Sequence, residues 1–357
     1  MLLSYKQDNG RIVKNTLLLY MRTILVMLVS LFTSRVVLSA LGVDDYGIYN
    51  VVGGVVAMFT VVSGALSASI SRFITFELGR NDIEKLKRIF STSINIQIGI
   101  SLLILFLGET IGVWFLNYKM NIPVERLDAA NWVLQCSLIT FIINLISVPY
   151  NAAIIAHEKM SAFAYISILE VILKLLIVYL LYISMWDKLI VYSSLLVLVA
   201  IIIRMVYGVY CNRCFVETRY LLVYDRALIK NMTSFAGWGF FTNTAYMFNT
   251  QGINILINMF FGVGVNAACG ITMQVEAAIM KFVNDFTTAL NPQITKSYAM
   301  KDFDTMNKLV IRGAKFSYFL LFILSLPILI ETDYILGLWL EEVPEHTVAF
   351  VDRKSTR

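Results

Sequence analysis

Long apolar runs alternate with short polar punctuation along the whole chain. Runs of helix length lie at about 15–41, 47–76, 89–116, 129–155, 161–184, 189–210, 233–260, 266–295 and 312–330, and a tenth begins near Thr347. A helix needs about 20 apolar residues to cross a hydrocarbon core, and each run supplies them or nearly so. The polar segments between them are short, as expected for antiparallel neighbours in a helical bundle. The pattern predicts an all-α polytopic membrane protein with about nine complete spans and the start of a tenth.

Composition narrows the class further. Of 357 residues, 58% are apolar or aromatic and 15% are charged, and the mean hydropathy is +0.74. Soluble domains carry roughly 45–50% apolar and ~25% charged residues, so a soluble enzyme, a disordered chain and a disulfide-stapled secreted module are all excluded. The first run is too long for a signal-peptide core and lacks a small-x-small cleavage site. Cys136 and Cys269 lie inside apolar runs, where cysteine acts as a small hydrophobe. Cys211 and Cys214 form a CxxC, but His157 and His346 are remote in sequence, so no metal site is expected.

The distribution of charge orients the spans. Lys6, Arg11 and Lys14 precede the first; Arg80, Lys85, Lys87 and Arg88 follow the second; Lys159 follows the fourth. The same side receives Arg204, Arg213, Arg219, Arg226 and Lys230, then Lys296, Lys301, Lys308, Arg312 and Lys315. The opposite side has only Lys119, Arg126 and Lys188, beside acidic Asp44 and Asp45. Basic residues concentrate in cytoplasmic loops, so the amino terminus is expected in the cytoplasm.

The chain also repeats itself. "GVDDYGIYNVVGG" opens the second span, which ends in "FELGRNDIEKLKRIF"; "GVNAACGITMQVE" opens the eighth, which ends in "SYAMKDFDTMNKLVIRG". Gly47 and Gly270 are 223 residues apart, and Asp82 and Asp302 are 220 apart. An even number of helices separates the copies, so the halves are parallel repeats, a transporter pattern.

At this point the chain resembles a known group. "TLLLYMRTILVMLVSLFTSRVVLSALGVDDYGIYNVVGGVV", "SRFITFELGRND", "VPYNAAIIAHEKMSAFAYISILE" and "NPQITKSYAMKDF" occur in order. They resemble the polysaccharide-biosynthesis branch of the multidrug/oligosaccharidyl-lipid/polysaccharide exporter superfamily, and within it the O-antigen and capsule-type flippases. The resemblance runs from about Tyr5 to Phe350 and is not specific for substrate. It implies a two-lobed transporter bundle, six helices plus six, around a cavity that opens alternately to each side. The expected divisions are 1–215, an N-terminal six-helix lobe; 216–232, a cytoplasmic linker; 233–351, a partial second lobe; and 352–357, a polar tail expected to be non-native. A full second lobe would extend past residue 430, so the natural protein is expected to be longer.

Ionisable residues inside spans are costly and therefore functional candidates. Arg22 and Arg35 lie roughly 10 Å deep in the first span, about 140° apart around the helix. They do not both face one cavity, and Arg35, beside Ser34, is favoured as the lumen-facing cation. Arg72 and Glu109 lie near span ends, where they can snorkel. Glu170 with Lys174, and Lys281 with Asp285, are i, i+4 pairs that neutralise each other. Glu276 has no such partner in its own helix; it is a candidate coupling-ion site or a partner for Lys174. The seventh span carries Asn243, Tyr246, Asn249 and Asn254, residues suited either to lining a sugar-binding cavity or to bonding neighbouring helices.

The function expected from these features is transport rather than catalysis. The substrate class is an undecaprenyl-pyrophosphate-type lipid-linked oligosaccharide, moved to the outer leaflet of a bacterial inner membrane for O-antigen, capsule or exopolysaccharide assembly. A multidrug or toxic-cation antiporter of the sister branch would prefer acidic cavity residues. A peptidoglycan-precursor flippase would also want arginines. A membrane-embedded polymerase or ligase needs a large outer loop, and the longest here, about 117–128, is short. No GxxxxGK[ST] phosphate loop occurs. Expected partners are the lipid-linked oligosaccharide, the bilayer and a polysaccharide polymerase or glycosyltransferase; no cofactor or nucleic acid is expected.

Overall fold

A computed structural model describes the backbone of residues 2–339 except 58, 121 and 224. Side chains are described from residue 12 to 337, save those three and 31, 43, 55, 57, 61, 246, 249–259 and 261–267. The expected tenth span, His346 and the 352–357 tail lie outside the described residues, as do the side chains of Tyr246, Asn249 and Asn254.

Every regular element among the described residues is helical. The order is α1 (Leu2–Leu41), α2 (Val43–Ala57), α3 (Thr60–Arg80), α4 (Ile83–Leu107), a π-helical turn (Gly108–Gly112), α5 (Val113–Tyr118), α6 (Leu127–Ala156), α7 (Met160–Ile183) and α8 (Lys188–Cys214). Then come α9 (Arg226–Ala299), α10 (Phe303–Ile330) and α11 (Thr332–Trp339). Among the described residues, six stretches are long and apolar enough to cross a membrane: Ile12–Leu41, Ile83–Tyr118, Val124–Ala156, Met160–Ile183, Lys188–Cys214 and Phe303–Ile330.

Two expectations are corrected here. The second span is two helices, α2 and α3, with Phe59 in a turn just before α3. Gly53 and Gly54 followed by β-branched residues hold helix weakly, so the break needs no proline. The seventh and eighth runs, expected as two helices with a turn at 262–266, belong to one 74-residue helix, α9. Residues 262–266 contain no proline, so nothing there removes a donor from the helical ladder, and the proline of α9, Pro292, lies near its far end.

The chain forms two compact units. In the N-terminal unit, Val13–Phe240, α6 is central and touches α2, α3, α4, α7 and α8. Its Leu134, Leu138, Leu145 and Ile154 are fully buried, and α4 answers with Ile89 and Phe90. Burying such side chains is the favourable term that holds helices together where water is present, and close packing replaces it within lipid. Gly108 lies so near α6 that a Cβ there would sit 2.6 Å from both methyls of Leu138. Just beyond, the amides of Asn117 and Asn131 bond reciprocally at 3.1 and 3.0 Å.

The ends of this bundle are tied by polar groups. At one end Arg126, closing a short 3-10 turn, donates to both Asp45 of α2 and Asp187. Asp187 also caps α8, accepting from the N–H groups of Leu189 and Ile190 at 3.0 and 3.2 Å. At the other end the segment after α8 is strapped to α4. The Leu221 N–H donates to Ser91 Oγ at 3.0 Å, Asn95 Nδ2 to the Val223 carbonyl at 3.1 Å, and Tyr220 OH to Asn95 Oδ1 at 2.7 Å. His157 bonds Glu217 and stacks on Phe215 with ring centroids 4.1 Å apart.

The second unit, Met1–Ile12 with Phe241–Arg357, packs α10 against the later part of α9. Phe286 and Phe316 meet edge to face at 6.5 Å, and a Cβ at Gly313 would lie 2.3 Å from a Leu290 methyl. One half of the sequence repeat is built alike in both units. Asn81 at φ 58° precedes Asp82, which caps α4 by accepting from the Lys85 N–H at 3.0 Å. Lys301 at φ 61° precedes Asp302, which caps α10 by accepting from the Thr305 N–H at 3.1 Å.

Candidate functional site

Helical spacing brings a polar stripe of α6 into register with α2. Ser137, Thr140 and Asn144, at i, i+3 and i+7, face Tyr49 and Gly53 across a cavity of about 220 Å³. Tyr49 also borders a second cavity of about 200 Å³. There Thr33 and Ser34 of α1 and Tyr46 of α2 meet Lys174 of α7 and Tyr192 of α8. The Tyr49 and Tyr192 rings meet edge to face at 5.0 Å. A tyrosine offers an apolar face and a polar tip, and the hydroxyl and amide groups around it can donate and accept hydrogen bonds.

The cation of the second cavity is already paired. Lys174 Nζ lies 2.6 Å from Glu170 Oε1 one turn away, with both side chains partly exposed. The pair is locally neutral, yet the ammonium remains accessible from the cavity. An anion entering there meets three N–H donors on a flexible stem, which can turn away from Glu170.

The walls are anchored by the Arg126 tie. Burial alone would raise the Asp187 pKa; hydrogen bonds from the Ile190 N–H and from Arg126, with the charge of Arg126, outweigh it and hold Asp187 below the usual carboxylate range. At the strapped end, burial of Glu217 likewise acts to raise its pKa, but the bond from His157 and the charge of Lys87 bring it below normal.

The other sequence-derived candidates are dispersed. Arg22 is half-buried, donating from Nε to Ser167 Oγ at 2.8 Å with its guanidinium 4.3 Å from the Phe163 ring centroid. It therefore ties α1 to α7. Arg35 is exposed on α1. At about 100° per residue it lies some 100–160° around the helix from Ser30, Thr33, Ser34 and Val37, the α1 wall of the cavity. Asn243, Glu276 and Lys281 are exposed on α9, and Asp285 is buried. Arg72 stacks on Phe235 at 4.4 Å, and Glu109 accepts from Gln135 Nε2 at 3.0 Å. Among the described residues no group of His, Cys, Asp and Glu side chains forms a metal-binding cluster, and all four cysteines are free.

Tyr46, Tyr49, Thr140, Asn144 and Tyr192 were not among the sequence-derived candidates. The i, i+3, i+7 stripe on α6 was legible as a pattern, and Tyr46 and Tyr49 stand inside the repeat motif. Nothing in the sequence says that these faces meet.

Helices of spanning length, packed in this order around polar cavities, define a multi-pass helical membrane protein with a transporter fold. The chain is similar to a crystal structure of MATE in the bent conformation, at 12% identity and TM-score 0.80, over 97% of this chain and 77% of that one. It is similar to an outward-facing multidrug resistance MATE family transporter of the MOP superfamily, at 13% identity and TM-score 0.77, over 98% and 78%. A MOP superfamily transporter from Pyrococcus furiosus, described by the reverse polarity of its binding pocket, matches at 12% identity and TM-score 0.76, over 98% and 78%. Residues 12–298 match the Polysaccharide biosynthesis protein family, and the chain belongs to that family. The Bacillus subtilis (strain 168) protein described as "Uncharacterized membrane protein EpsK" is 24% identical over 159 residues, 44% of this chain and 31% of that relative. The chain thus spans under a third of that relative's length.

Proposed function

We propose that this protein flips a polyprenyl-pyrophosphate-linked oligosaccharide from the cytoplasmic to the outer leaflet of a bacterial inner membrane. Family membership supports a polysaccharide substrate. The carrying observation is the two cavities that Tyr49 borders, one lined by hydroxyl and amide groups and the other by tyrosine and hydroxyl groups beside the Lys174 ammonium. Sugar hydroxyls find donors and acceptors there, and a phosphate finds a cation. Arg22, Arg35, Asn243, Tyr246, Asn249 and Asn254 are assigned to the rest of the transport path as substrate-binding residues, with Glu170, Lys174, Glu276, Lys281 and Asp285 as charge partners or coupling sites. The basic loops support a cytoplasmic strapped end of the N-terminal unit and an outer Arg126 tie.

The multidrug fold neighbours favour a second reading, export of organic cations. Neither cavity has a carboxylate among its described lining residues, so a cationic drug finds no anionic partner there, which argues against this reading.

Deletion of the gene is expected to accumulate lipid-linked oligosaccharide on the cytoplasmic face, with surface glycan lost and restored by the intact gene. Replacing Lys174 by Met is expected to reduce restoration at normal protein level. Unchanged surface glycan and lipid intermediates in the deletion strain, together with hypersensitivity to cationic dyes, would replace this reading with the second.

A further inference from the structure

The two sides of α1 meet different surroundings. Toward the bundle it buries Leu19 and Val37 together with Asn15 and Thr23. The opposite side carries Val13, Leu17, Met21, Ile24, Leu28 and Phe32, each between 47% and 70% exposed. Their spacing of three or four residues makes one continuous apolar stripe. It runs about 30 Å, the full depth of a hydrocarbon core, whereas a phospholipid chain covers one leaflet.

The stripe has a cation near each end. Arg35, three residues past Phe32 and on the same face, is exposed and has no hydrogen bond or ion pair among the described residues. Lys14, beside Val13, is also exposed. A guanidinium within a span is costly unless an anion meets it, and its planar fork matches phosphate oxygens. The face lies away from the Tyr49 cavities, whose α1 wall is Val29, Ser30, Thr33, Ser34 and Val37.

We propose that this face of α1 is a docking track for one polyprenyl pyrophosphate lipid. The isoprenoid chain lies along Leu17 to Phe32, and the pyrophosphate rests on Arg35 after transfer and near Lys14 before it. The track rests on the flippase reading above and gives the substrate's lipid a place distinct from its glycan.

Photocrosslinking of the full chain in phosphatidylethanolamine–phosphatidylglycerol vesicles tests this, with a trace of undecaprenyl pyrophosphate as probe. Benzoylphenylalanine replaces Leu28 or, in a second variant, Met21; both are exposed, so the core is not disturbed. A third variant carries it at Thr33 in the cavity wall. Adducts with undecaprenyl pyrophosphate are expected at Leu28 and Met21, suppressed by unlabelled undecaprenyl pyrophosphate and not by undecaprenol. Arg35→Gln is expected to lower the yield about tenfold, as for loss of one charge-assisted pair, and Arg35→Lys to lose less. Adducts that follow the mole fraction of each lipid, or that ignore Arg35→Gln, would mean that ordinary bilayer lipid covers the face. Adducts with a second copy of the chain would make it an oligomer interface. Probe captured at Thr33 but not at Leu28 or Met21 would overturn the track and leave the flippase reading standing; capture at none of the three would overturn both.

Discussion

Arg126 carries more of the architecture than any other single charged residue described. It reaches Asp45 and Asp187 at once, and through them holds the starts of α2, α6 and α8. Its replacement by Ala leaves the largely buried Asp45 without that partner, and Arg126→Ala is expected to cost on the order of 1–2 kcal/mol, read as a lower Tm in detergent. The cost has a definite pH dependence. Asp187 has a folded-state pKa below its unfolded value of about 3.9, so its contribution is complete above that value and is lost as pH falls through the folded pKa. The Tm gap between wild type and Arg126→Ala is therefore expected to be widest near neutral pH and to narrow below about pH 4. A gap that persists undiminished in acid would assign the loss to packing of the arginine stem instead.

At the scale of elements, most helices were legible because apolar runs of this length have few alternatives in lipid. The Glu170–Lys174 pair was legible too, since i, i+4 spacing alone sets it. What sequence could not supply was azimuth. Arg35 looked as suited to a cavity as any residue, but the direction it faces depends on which neighbours α1 meets. The turn at Phe59 and the continuity of α9 escaped for a related reason: hydropathy registers length, and is nearly blind to where an apolar helix bends. Close approach is equally invisible. Gly108 permits the π-helical turn of the third span to lie against Leu138, and Gly108→Ala is expected to destabilise by about 1–3 kcal/mol through overpacking. Leu138→Ala in the same chain should recover part of that loss, so the double mutant cycle shows coupling. Simple additivity of the two would place the constraint elsewhere.

For the whole molecule, orientation is the property that everything else presupposes. In a background freed of Cys136, Cys211, Cys214 and Cys269, Val124→Cys is expected to react with an impermeant maleimide added from outside the inner membrane. Lys87→Cys is expected to react only after that membrane is opened. The reverse pattern would invert the topology and with it the direction of transport.

The strap after α8 has a further consequence. The compact N-terminal unit ends not in a loop but at Phe240, inside α9, and the first turns of that helix bury Met232 and Ala236 in its core. Leu222, 93% exposed, is the natural place for a protease or a split gene to divide the chain. Division there separates no folded module from another. The downstream piece keeps residues 226–240 as a plug that belongs to its predecessor, and the upstream piece is left with an open socket. Two polypeptides made this way need each other to be soluble in the membrane, and any fusion or exchange of halves that respects both cores has to cross helical backbone.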